Sequence, residues 1–141
     1  MTLKISDLSV GMDLPGLDLT FTRADLVAYA HASGDLNPIH QDEAFAKSVG
    51  LPDVIAHGML TMGRAIQVVT NWVGDPAAVI EYSVRMTRPV VVPDTAEGSV
   101  VNFTGKVAQI NDDGTVQVEL GAVFGDVKVL GLAKATVRIA Q

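Results

Sequence analysis

Ile55-Ala56-His57-Gly58-Met59-Leu60-Thr61-Met62-Gly63-Arg64-Ala65-Ile66-Gln67-Val68-Val69-Thr70-Asn71-Trp72-Val73 decides the fold. It is apolar over most of a helical circumference, interrupted by Arg64, Gln67 and Asn71, and a helix that is apolar nearly all round is a buried one. Its roughly 19 residues predict a rod of about 28 Å, the span of a small domain. Gly74-Asp75-Pro76 stops it. Beyond that point the period changes. Val79–Val92, Gly98–Ile110, Thr115–Phe124 and Val127–Ile139 are rich in Val and Thr, with turn signals at Pro93-Asp94, Asn111-Asp112-Asp113-Gly114 and Gly125-Asp126. Strands in succession after one buried helix predict an α+β domain in which an antiparallel sheet wraps the helix. Such a sheet leaves an edge strand, and pairing edges across a two-fold axis would hide it, so a dimer is expected.

Upstream, Thr22-Arg23-Ala24-Asp25 opens a short helix through about Ala32, with Thr22 as its cap and Asp25 reaching back. That helix delivers the chain to Ser33-Gly34-Asp35-Leu36-Asn37-Pro38-Ile39-His40. Gly34 gives the backbone freedom to bend before Asp35, while Pro38 fixes its own φ and pushes Asn37 out of the helical region. The loop is therefore stiff, and it carries a carboxylate and an imidazole close together. On spacing alone these residues serve equally as a polar turn and as an acid/base pair. Asp42 is placed to cap a second short helix through Phe45 and Ala46, ended by Gly50 and Pro52.

The 141 residues fit one domain, 1–141, long enough to bury a core. No uncharged apolar run approaches about 18 residues and the start lacks a basic region followed by an apolar one, so a cytoplasmic protein without a membrane span is expected. The absence of cysteine excludes disulfides, thiolate metal sites and a Cys nucleophile. A formal charge of −6, with ten scattered Lys and Arg, argues against a nucleic-acid partner.

Taken together these residues resemble the MaoC-like, or hydratase-2, branch of the hot-dog fold. Tyr29, then Ser33-Gly34-Asp35, Asn37-Pro38-Ile39-His40 and Ala46 stand where the family's signature has an aromatic residue, Ser-Gly-Asp-x-Asn-Pro-aliphatic-His and a small residue. Ala56-His57-Gly58-Met59 matches a second family element. Asn71–Pro76 and Glu81–Arg85 are similar to the motif-bearing subunits of mycobacterial-type (3R)-hydroxyacyl-ACP dehydratases, whose partner subunit lacks the motif. The resemblance implies a hot-dog fold in which a short overhang segment carries the dyad loop. It also implies reversible dehydration of (3R)-hydroxyacyl thioesters to trans-2-enoyl thioesters. Type II fatty-acid elongation is the first setting expected, and an (R)-specific enoyl-CoA hydratase for β-oxidation or polymer precursors the alternative. A hot-dog thioesterase and a non-catalytic acyl-binding subunit are further alternatives, and the paired Asp35 and His40 argue against both. Some relatives carry a pocket serine farther along the central helix, where this chain offers Thr61 and then Gly63.

In that chemistry His40 serves as the C2 base and Asp35 handles the oxygen side, with the mirror assignment, or a single water shared by both groups, also open. The Gly58 amide, at the start of the central helix, is assigned to the oxyanion hole, against the alternative of a close backbone contact in the core. Ser33, Gly34, Asn37 and His57 are supporting residues. Asn37 is expected to fix the loop, and His57 to bond to backbone and orient a neighbour. Arg64, Arg85 and Arg88 are the basic residues nearest the site in sequence, and Arg64 and Arg85 are named for the phosphates of the carrier, either acyl carrier protein or coenzyme A. Asp35, His40 and His57 are suitable metal ligands but lack a ligand spacing, and elimination needs no cofactor, so neither a metal nor a cofactor is expected. The partner is a second hot-dog subunit, identical or not.

Overall fold

In the computed structural model of the chain, which describes residues 2–140, one six-stranded antiparallel sheet curves around a broken central helix. The strands are β1 (Asp13–Phe21), β2 (Val79–Met86), β3 (Ser99–Ile110), β4 (Thr115–Phe124), β5 (Val127–Lys128) and β6 (Leu130–Arg138). Their order is β1-β3-β4-β6-β2, with short β5 paired to β4, so β1 and β2 are the edges. The helices are α1 (Arg23–Ser33), α2 (Glu43–Ser48), α3 (Gly58–Ala65) and α4 (Gln67–Val73). This is the hot-dog arrangement. No helix among the described residues is long and apolar enough to cross a membrane.

Strand β3 shows why the sheet forms. Val101, Phe103, Gly105 and Val107 are buried while Val100, Asn102, Thr104 and Lys106 are exposed, the period of two that a half-buried strand requires. On the inner face α4 packs against β1 and β3. Contact is close because Gly105 offers no side chain: a Cβ there would stand 2.9 Å from Val68 Cγ1.

Three expectations need correction. The central helix starts at Gly58, because Ile55 and Ala56 are extended: Ala56 N–H donates to Val90 O (2.8 Å) and Ile55 bridges Val91. It also divides at Ile66, which ends α3 and begins α4 in near-helical geometry. Only one face is buried, carrying Thr61, Ala65, Val68 and Val69, while Met59 is 61% exposed. The helix lies on one face of one sheet, and its outer flank is open in the single chain. Next, the run Val79–Val92 is not one strand: β2 ends at Met86, before Thr87-Arg88-Pro89, and Val90–Val92 returns to pair with Val54–Ala56. Finally, the sheet contains β1, which the residue pattern of 13–21 does not disclose. Its register slips between Leu14 and Leu17, where Pro15 and Gly16 sit on an edge that tolerates them.

Candidate active site

The expected capping box is present on α1: Thr22 Oγ1 accepts from Asp25 N–H, and Asp25 accepts from Thr22 N–H. Gly34, at φ +80°, ends the helix in the left-handed region that glycine enters without strain. From there the loop is built of short side-chain turns. Asp35 N–H donates to Ser33 Oγ, Asn37 N–H to Asp35 Oδ1 and Ile39 N–H to Asn37 Oδ1, each at 3.2 Å. Asn37 thus caps the short 3₁₀ helix Pro38–His40, which turns the His40 ring inward until the residue is only 7% exposed.

Two bonds lock this turn to the extended segment ahead of α3. Ile55 N–H donates to Ile39 O, and His40 Nδ1 lies 2.7 Å from Ile55 O. A carbonyl only accepts, so Nδ1 carries the proton and Nε2 is left as the free base. Burial holds the His40 pKa below the usual imidazole value and His57 adds to that, opposed by the Ile55 carbonyl and the Asp35 carboxylate. Arg23 braces the same segment from behind, donating to Val92 O and, at 2.6 Å, to Asp53.

Asp35, His40 and His57 come together: a carboxylate oxygen and one nitrogen of each ring lie within 4.8 Å of one another. The two rings stack, with centroids 3.8 Å apart and planes at 25°. In-plane lone pairs of stacked rings run nearly parallel and converge poorly on one ion, so the cluster suits proton transfer better than metal ligation.

His40 opens into a cavity of about 300 Å³ walled by Ala56, Gly58, Thr61, Met86 and Arg88 among others. Gly58 is the first residue of α3, where the leading N–H groups have no acceptor within the helix. Met86 lies against it: a Cβ on Gly58 would be 3.3 Å from the Met86 sulfur. Thr61, from the same helix, is buried in the wall.

The two named arginines lie elsewhere. Arg64 donates to Thr20 O (2.7 Å), pairs with Asp25 and covers the Phe21 ring at 4.4 Å, so it braces α3 against β1 and α1. Arg85 is exposed on the β2 edge, in a groove with Glu119, Leu132 and Lys134. Arg88 is the arginine that reaches the His40 cavity, because the chain turns there after β2. Sequence reasoning missed Met86, which carries no chemical signature, and the Ile55 carbonyl, a backbone group that no residue type betrays.

A family model described as MaoC like domain matches residues 9–123. Over 82 residues, 58% of the chain, it is 43% identical to a 3-hydroxyacyl-thioester dehydratase X of Mycobacterium tuberculosis, of which that stretch is 28%. Over 87 residues, 56% of the chain, it is 40% identical to the peroxisomal enoyl-CoA hydratase 2 of Arabidopsis thaliana, again 28% of that protein. A solved MaoC-like dehydratase superposes on 99% of the chain and 43% of its own length, with TM-score 0.94 and 44% identity. The chain therefore spans less than half the length of these relatives.

Proposed function

The chain belongs to the MaoC-like domain family, and from that premise we propose that residues 1–141 form one catalytic unit, a hydro-lyase interconverting (3R)-hydroxyacyl and trans-2-enoyl thioesters. The observation that carries the proposal is the fixed tautomer of His40. Its Nδ1–H is spent on Ile55 O, which leaves Nε2 free on a ring that has one nitrogen within 4.8 Å of an Asp35 carboxylate oxygen and shares a cavity wall with the first residue of α3.

In dehydration His40 Nε2 takes the C2 proton while the C3–O bond breaks. The Asp35 carboxylate orients the departing hydroxyl, which takes the proton from the His40 imidazolium and leaves as water, so the pair returns to neutral imidazole and carboxylate. Negative charge that gathers on the thioester oxygen meets the Gly58 N–H at the positive end of α3. Hydration runs the same steps backward. Arg88, on the cavity wall, is the candidate contact for a carrier phosphate. The proposal places the enzyme in the cytoplasm and in fatty-acid elongation, with acyl carrier protein or coenzyme A as carrier.

A second hot-dog subunit completes the reading. Glu81 and Arg85 stand two residues on either side of Ser83 on exposed edge β2, so a two-fold axis through Ser83 would set Glu81 against Arg85 of a second copy. Sedimentation of the purified chain tests this, and a monomer at working concentration counts against it.

The reaction is tested by following the ultraviolet absorbance of a trans-2-enoyl-CoA, and of the same acyl group on acyl carrier protein. Loss of the conjugated absorbance with wild type and not with His40→Ala supports the proposal. Release of free thiol would replace it with thioester hydrolysis.

A further inference from the structure

We infer that His57 is the positioning residue of this site: one buried ring ties the Asp35 backbone to the face of His40 and so keeps the two proton-handling groups in register. The inference rests on the hydro-lyase reading and adds to it a side chain that does not line the cavity.

The starting observation is how weakly the Asp35 loop is otherwise held. Residues 33–38 are exposed. The hydrogen bonds of Asp35 N–H, Asn37 N–H and Ile39 N–H each span two residues, so they shape the loop without attaching it to the body. Among the described residues, the hydrogen bond that reaches Asp35 from outside the loop comes from His57, whose Nε2 lies 3.1 Å from Asp35 O. A carbonyl only accepts, so Nε2 carries the proton.

The rest of the ring is equally committed. His57 is 1% exposed, and its Nδ1 is buried with no hydrogen-bond partner. A proton on Nδ1 would be a buried donor without an acceptor, which reinforces the Nε2–H tautomer. One face stacks on His40 at 3.8 Å, and the Tyr29 ring meets His57 edge-on at 4.7 Å. His40 is itself pinned at Nδ1 by Ile55 O. A continuous rigid path therefore runs from the Asp35 carbonyl through the His57 ring to the His40 ring, which bears the free Nε2. A carboxylate on an exposed loop needs such a tie, because displacements of about 1 Å at reacting groups cost about a hundredfold in rate.

A ring that only filled space would be replaceable by any apolar side chain of similar volume. Glutamine distinguishes the roles, since its amide N–H reaches the place of Nε2–H while the imidazole is lost. Two measurements on the full chain test the inference. The first is ¹⁵N NMR of the histidine rings in wild type, expected to show a protonated Nε2 and a bare Nδ1 on His57. The second is kcat and KM for trans-2-enoyl-CoA hydration in wild type, His57→Gln and His57→Leu. His57→Leu should lower kcat about tenfold to a hundredfold with KM moved less than about twofold, and His57→Gln should recover part of that loss. A proton on Nδ1, a folded His57→Leu with wild-type kcat, or a His57→Gln no better than His57→Leu would each overturn the inference. Should His57→Leu fail to fold, the wild-type tautomer and the His57→Gln rate decide it. An inactive wild type whose His57 shows Nε2–H would sink the hydro-lyase reading and leave the tie standing.

Discussion

Strand β3 and the loop from Ser33 to His40 are held in opposite ways. β3 is bonded on both sides, to β1 and β4, and every second side chain is buried. Its position is the sum of many similar contacts, none of them chemically special. The loop lies in the open and owes its place to three local side-chain bonds, the Ile39–Ile55 and His40–Ile55 pairings and one histidine. In β3 a substitution should therefore be felt as stability, and in the loop as rate.

Asp35→Asn gives the sharpest break. The side chain is exposed and asparagine keeps an oxygen for Asn37 N–H, so the unfolding midpoint should stay put while enoyl-thioester hydration falls roughly 10²–10⁴-fold. Phe103→Ala is its mirror. The ring is fully buried in the β3 core, so chemical denaturation should register a loss of about 3–5 kcal/mol, with KM for the folded fraction unchanged. Gly58→Pro falls between the two regions. The first turn of a helix accepts proline, and His57 at φ −58°, ψ 131° already has the extended backbone that a following proline requires. Removal of the N–H should cost about 2.7–4 kcal/mol of barrier in steady-state kinetics, and an unchanged kcat would remove Gly58 from the mechanism.

Arg23→Met tests the brace behind the extended segment to which the loop is bonded. It frees Val92 O and Asp53, and should cost about 1–3 kcal/mol in urea unfolding, with a smaller effect on turnover. The smallest expected effect is on pH. Because burial lowers the His40 pKa, the base stays neutral below the usual imidazole range, and the acid limb of kcat/KM should fall with a midpoint below 6.5. For stability the sign is the same. Between the folded pKa and 6.5 the unfolded chain binds the extra proton, so the contribution is intact above 6.5 and lost as pH falls through the folded value. A midpoint above 6.5 would mean that the Asp35 carboxylate outweighs burial.

The two regions also differed in what their residues disclosed. β3 and β4 were legible because alternation is a property of the chain itself, and the dyad loop because Gly34, Asn37 and Pro38 each constrain their own backbone. β1 was hidden by Pro15, Gly16 and two aspartates, which an edge strand tolerates and a propensity reading counts against it. The start of α3 was hidden because Ile55 and Ala56 are apolar enough to extend the helical pattern, whereas their partner Val90–Val92 is distant in sequence. Arg64 and Arg85 were grouped with Arg88 by nearness along the chain, and only folding sends Arg88 alone to the cavity.

The ladder between β2 and β6 has a consequence for the site. Its register slips at Ile80 and again near Leu132, an exposed residue at φ +46°, and the two slips cancel. Residues 81–83 thus sit one place out of step with both ends of the ladder, like the offset scale of a vernier. The first slip exchanges the faces of β2. Val79 points inward before it and Tyr82, Val84 and Met86 after it, so that the Tyr82 hydroxyl reaches Met62 O at 2.7 Å and Met86 reaches Gly58. The second slip turns Leu130 inward beside Met86. Deleting Ile80 alone would straighten the first slip and keep Val79 and Tyr82 on the inner face in plain alternation, leaving the extra residue of β6 near Leu132 uncompensated, so a one-residue change in length far from Asp35 would shift the ladder's register without touching an acid, a base or a charge.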